Sequence, residues 1–128
     1  MRWLTTKFTT YKIDKYESAT GKGVLDLVNI GNFEVNKIAR LIKLGNSFPK
    51  GSNEDEEAYK KLDDYLAMDE EHSLVSAFFD LIGELDMDLK ILRAVGVSVA
   101  ELRDEFAAEV ANKVALVKEK EHVVAEEA

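Results

Sequence analysis

The chain has 128 residues, 46% hydrophobic and 33% charged, which suits one globular domain and is too short for two. It holds no cysteine and two histidines, which excludes disulfides, zinc–thiolate sites and a cysteine nucleophile and argues against a histidine-rich metal site. A net charge of −8 speaks against a nucleic-acid partner, because binding phosphate backbones calls for a basic surface.

The start, Met1-Arg2-Trp3-Leu4-Thr5-Thr6-Lys7, lacks the apolar stretch of a signal peptide. No later run approaches the roughly 20 apolar residues that cross a bilayer, so a cytoplasmic protein with no membrane partner is expected. Trp3 to Ile13 is rich in threonine and aromatic residues, a composition suited to pleated strand. Residues 1–16 are therefore predicted as an extended or β-strand N-terminal arm. A lone hairpin is unstable, which makes Trp3, Phe8 and Tyr11 candidates for packing on helices or for self-association with a second copy. Ser18 to Gly23 reads as a loop. A short helix carrying Val24, Leu25, Leu27 and Val28 follows and ends near Ile30-Gly31. Asn32 is the predicted N-cap of a helix with Phe33, Val35, Ile38, Leu41 and Ile42 at helical spacing. Gly45-Asn46 is expected to close it in the left-handed conformation. Ser47 to Asn53, with the only proline, Pro49, reads as loop.

Ser52 or Asn53 is predicted to cap a helix that opens with Glu54-Asp55-Glu56-Glu57, acids that favour the positive end of the helix dipole. Ala58, Tyr59, Leu62, Tyr65 and Leu66 form its apolar face. Ser73 starts the helix with the widest stripe, Leu74, Phe78, Leu81, Ile82 and Leu85 broadened by Val75 and Phe79, which is predicted to be the central core helix. Asp86 to Asp88 either interrupt it or are passed through, and Leu89, Ile91, Leu92 and Val95 carry the apolar content on to Gly96. Ser98 and Glu101 have capping-box spacing and open a last helix with one narrow stripe. That stripe is Leu102, Phe106, Val110, Val114 and Val117, the candidate partner-binding residues. Lys118 to Ala128 has little to bury and is expected to fray. The fold expected is mainly α, a single small domain of about five helices: an arm over 1–16, a helical core over 17–117 and a tail over 118–128.

Chemistry-bearing motifs are few. Thr20-Gly21-Lys22-Gly23 fails as a phosphate loop, with Tyr16 where the first glycine belongs and Gly23 where a hydroxyl belongs. Glu84, Asp86 and Asp88 lack the next ligand of a calcium loop, since position 90 is Lys90, and read as a solvated helix end. Among 25 acidic residues, close carboxylate pairs arise by chance. His72 sits beside Ser73 at a capping position, and His122 lies in the tail. No catalytic, cofactor-binding or metal-ligating residue is assigned, no cofactor is expected, and the reading is non-enzymatic. Charge is uneven: residues 1–50 carry nine basic and four acidic side chains, and residues 51–128 carry eight basic and 21 acidic ones. The halves attract one another within one fold, or a basic end meets an acidic neighbour in a contact between copies. The narrow stripe of the last helix closes on its own domain or is laid into a groove of another chain.

From Gly23 to about Leu92 the chain resembles the tail assembly chaperones of long-tailed phages and prophages of Gram-positive bacteria. The residues that carry this are Val24-Leu25-Asp26-Leu27, Ile38-Ala39-Arg40-Leu41-Ile42-Lys43-Leu44-Gly45, Ala58-Tyr59-Lys60-Lys61-Leu62-Asp63-Asp64-Tyr65-Leu66, and Ser73-Leu74-Val75-Ser76-Ala77-Phe78-Phe79-Asp80-Leu81-Ile82. The resemblance implies a helical, non-catalytic, self-associating protein of the host-cell cytoplasm. Such a protein coats the tape measure protein, helps recruit tail-tube subunits and is absent from the finished virion. Apart from the resemblance, the same residues fit another helical interaction module, a regulator or small structural subunit.

Overall fold

The computed structural model describes residues 2–31 and 33–127, with side chains as far as Leu116. Among the described residues six α-helices and one 3₁₀ turn follow one another: α1 (Thr10–Thr20), the turn Val24–Val28, α2 (Val35–Leu44), α3 (Glu54–Leu66), α4 (Leu74–Leu89), α5 (Ile91–Ala94) and α6 (Val99–Glu127). The chain is mainly helical, and no strand forms among the described residues.

Residues 2–9 are irregular, and the extended arm predicted over 1–16 is corrected from Thr10 onward, where α1 begins. The Thr9 side chain accepts from the Lys12 amide at 3.3 Å, and Gly21, at φ 70°, ends the helix with its N–H on the Glu17 carbonyl. Caps at both ends, together with Ile13 buried and Tyr16 packed three residues on, outweigh the strand preference of threonine and tyrosine. The loop expected over Ser18–Gly23 shortens for the same reason, and the Glu17 carboxylate spans it to accept from the Val24 amide at 2.9 Å.

Val24, Leu27 and Val28 are buried by the 3₁₀ turn. Phe33 stands ahead of α2 rather than within it, and Glu34 occupies the N-cap without a side-chain bond; the predicted cap, Asn32, lies outside the described residues. Ile38, Leu41 and Ile42 are fully buried. The end of α2 is a second correction. Gly45 has φ −90° rather than a left-handed conformation, and glycine is needed there because Thr5 lies against it.

Asn53 caps α3, accepting from the Glu56 amide at 3.2 Å, and four acids fill the first turn. Ala58, Leu62 and Tyr65 face inward, while Tyr59, predicted on the apolar face, is exposed. Ser73 and Ser76 cap one another's backbone at the start of α4. That helix buries Phe78, Phe79, Leu81, Ile82 and Leu85 and packs against α2, α3, α5 and α6, as the central helix should. Each such side chain is worth about 1.5–3 kcal/mol relative to exposure.

Helix α4 passes through Asp86–Asp88 and stops at Lys90, a non-glycine at φ 59°. These acids are not the solvated helix end expected. The Asp86 carboxylate caps α5 by accepting from the Leu92 and Arg93 amides at 2.9 and 3.2 Å, and Glu84 and Asp88 hold the N-terminal segment. Ser98 accepts from the Glu101 amide at 3.1 Å where α6 begins, and the backbone stays helical to Glu127. The side chains of the tail predicted over 118–128 lie outside those described. Among the described residues no helix is long and apolar enough to cross a membrane.

Candidate partner-binding surface

A polar clamp fixes residues 2–8. The Gly45 carbonyl accepts from the Thr6 and Lys7 amides at 2.9 and 3.0 Å, and the Asn46 side chain donates to the Leu4 and Ile42 carbonyls, both at 2.7 Å. On the α4 side, Thr5 donates to Glu84 at 2.8 Å, while Asp88 accepts from Arg2 and from the Phe8 amide, each at 2.7 Å. The Arg2 guanidinium holds the Asp88 carboxyl below the usual carboxylate range. Glu84 shifts the other way, pushed up by burial against the opposing hydrogen bond from Thr5.

The clamp sorts the three residues predicted for self-association. Phe8 is 1% exposed and packs the core of its own chain, which withdraws it from any surface a second copy could touch. Trp3 is 46% and Tyr11 69% exposed, the latter with the Lys15 ammonium 5.5 Å from its ring centre. Trp3 meets His72 edge-on at 6.1 Å, and His72 meets Tyr65 at 4.5 Å. His72 Nδ1 is 2.6 Å from the Asp69 carboxylate, whose pKa that hydrogen bond lowers. The Tyr65 hydroxyl donates to Asp80 at 2.7 Å, and burial pushes its pKa up to about 12.

Beside Trp3 an open hollow of about 420 Å³ lies between the N-terminal segment, α4 and the root of α6. Phe79, Gly83 and Met87 line it from α4, and Val99 and Arg103 from α6. A Cβ at Gly83 would meet nothing within 4 Å, so the helix is bare where it faces the hollow. The Arg103 guanidinium stands 5.4 Å over the Phe79 ring and makes no ion pair among the described residues.

The predicted stripe of α6 is divided by the structure. Leu102 and Phe106 pack against the core, Phe106 meeting Phe33 at 5.4 Å and Phe79 at 5.6 Å. Beyond them Val110 is 42% and Val114 46% exposed, and every side chain from Ala107 to Leu116 faces water. Val117 lies outside the described side chains. The helix is therefore anchored by its first two turns and carries its stripe outward past the body.

Sequence reasoning missed the hollow. Its one local signal is Gly83, which costs about 1 kcal/mol relative to alanine in a helix interior and is not explained by the core stripe around it. Among the described residues no group of three or more His, Asp or Glu side chains is placed to hold a metal ion. Glu84, Asp86 and Asp88 are each engaged by backbone or side-chain donors that position other elements. No family model matches this chain, and neither a curated protein nor a solved structure is significantly similar to it.

Proposed function

We propose that this chain is a tail assembly chaperone without catalytic activity, acting in the host-cell cytoplasm to keep the amphipathic helix of a tape measure protein covered and to help recruit tail-tube subunits. The reading rests on the sequence resemblance. The observation that carries it structurally is the division of α6: its stripe is buried at Leu102 and Phe106 and bare at Val110 and Val114. A second helix laid along that continuation reaches the hollow at Gly83, where its backbone approaches α4 without a side chain between them. Apolar anchors at helical spacing in a groove are the means by which amphipathic helices are held. The acidic surface keeps a loaded complex in solution through like-charge repulsion.

Co-expression with a tape measure segment tests this. The segment should become soluble and co-elute with the chain, and replacing Val110 and Val114 by aspartate should abolish co-elution while the circular dichroism of the chaperone is unchanged. A segment that stays insoluble, or co-elutes equally with the double variant, overturns the proposal. Recovery of the chain from purified virions would favour a structural subunit instead.

A further inference from the structure

Four charged side chains line the hollow beside Trp3, and three of them are engaged within the chain: Arg2 with Asp88, Asp80 with the Tyr65 hydroxyl and Glu84 with Thr5. Arg103 is the fourth. Its exposed guanidinium rests over the Phe79 ring and meets no carboxylate among the described residues. The apolar part of the lining is also bare. Trp3 is 46% and Met87 53% exposed, and at Gly83 the floor has no side chain. The walls are nonetheless fixed. Arg2 is tied to Asp88 and Leu4 is fully buried on either side of the indole, which itself meets His72. A held tryptophan, a pliable thioether and an unpaired arginine around one hollow are the parts from which interface anchor points are made. Walls set in advance lower the ordering cost of binding.

Shape decides what kind of occupant fits. About 420 Å³ takes a bulky side chain, but the hollow is open on its outer side. A free small molecule there keeps much of its surface wet, whereas ligand pockets bury roughly 70–90% of it. A side chain that arrives on a polypeptide brings its own backbone as the roof.

We propose that the hollow is the anchor pocket for a helical segment of another protein. That segment inserts a leucine, phenylalanine or tryptophan over Gly83 and sets an aspartate or glutamate, three or four residues away, on the Arg103 guanidinium. The spacing puts both side chains on one face of a helix. A planar guanidinium laid on an aromatic ring takes a carboxylate through two parallel N–H donors. A lysine in place of that acid brings a second cation over Phe79 and is rejected. Because the whole chain carries a net charge of −8, its general field repels acidic partners. A preference for an acid is therefore a local signature of Arg103. The proposal rests on the reading that a foreign helix reaches this hollow, and it adds what that helix carries.

The test pans the full chain against a library of random displayed peptides. Enriched peptides should pair a bulky apolar residue with aspartate or glutamate three or four positions away. Gly83→Leu fills the hollow, where an added Cβ meets nothing within 4 Å, and should weaken those peptides by about tenfold or more. Arg103→Gln should weaken them by about tenfold, and panning against Arg103→Glu should enrich lysine or arginine at the acidic position, with circular dichroism showing each variant folded. Peptides that bind Gly83→Leu as tightly as the parent, an acid preference that survives Arg103→Glu, or no enrichment at all overturns the proposal. So does Trp3 emission that shifts with the concentration of the chain alone, which marks a second copy in the hollow. A tape measure segment that co-elutes undiminished after its acids are neutralised sinks the pairing and leaves the chaperone reading standing. Peptides of the expected kind without tape measure co-elution do the reverse.

Discussion

Thr5 lies directly over Gly45: a Cβ at position 45 would stand 2.5 Å from Thr5 Cγ2 and 3.0 Å from the Phe8 ring. The contact lets the Gly45 carbonyl take the Thr6 and Lys7 amides, which seats the whole N-terminal segment. Gly45→Ala should therefore destabilise the fold by about 1–3 kcal/mol, the usual cost of overpacking, seen as a lower midpoint in urea. Pairing it with Thr5→Ser, which removes the nearest methyl, should recover part of the loss. An alanine variant as stable as the parent would show that the segment does not lie where described.

Asp88 holds the same segment from the α4 side. Replacing it with asparagine keeps the shape but sets an amide beside the Arg2 guanidinium and the Phe8 amide, at a cost of about 2 kcal/mol. Because Arg2 lowers its folded pKa from the ordinary 3.8, the carboxylate contributes stability above that value that is lost as the pH falls further. The parent should therefore lose stability more steeply than Asp88→Asn below about pH 4. Urea melts at pH 3 and pH 6 measure the difference.

At the alkaline end Tyr65 contributes. Its hydroxyl titrates near 10 when unfolded and is pushed up to about 12 in the fold, so the native state binds the extra proton across that interval. Stability should fall as the pH rises from 10 towards 12, and Tyr65→Phe should flatten that fall. At neutral pH the phenylalanine variant should lose about 1 kcal/mol through the missing bond to Asp80. Thermal melts at pH 7 and pH 10.5 separate the two effects.

Lys90 ends α4 in the left-handed region, where a Cβ is disfavoured. Lys90→Gly should stabilise the protein by roughly 1 kcal/mol, raising the melting temperature by a few degrees. The Lys90 amide keeps its bond to the Asp86 carbonyl in either case. A lower melting temperature would mean that the lysine side chain contributes more than its backbone costs.

The helices that stand out in the sequence are those whose ends and faces are written locally. Asn53 before four acids, Ser73 before a broad stripe and Ser98 three residues ahead of Glu101 each mark a helix start that forms there. The arm was not legible, because α1 depends on the fit of Ile13 to the core and the segment before it depends on partners 40 and 80 residues away. The acids of α4 were misread for the same reason, since nothing near Glu84 or Asp88 in sequence announces Thr5 or Arg2. For the candidate surface, the stripe of α6 was visible as a pattern. Where it leaves the body, between Phe106 and Val110, follows from the contacts of Phe106 with Phe33 and Phe79, which no local pattern contains.

Trp3 is the only indole in the chain, held at the rim of the hollow and edge-on to His72. Tryptophan fluorescence therefore comes from a single residue whose surroundings change when the N-terminal segment lifts or when another helix settles over Gly83. The molecule carries its own optical probe at the place where occupancy is in question, and titrations can be followed without attaching a dye.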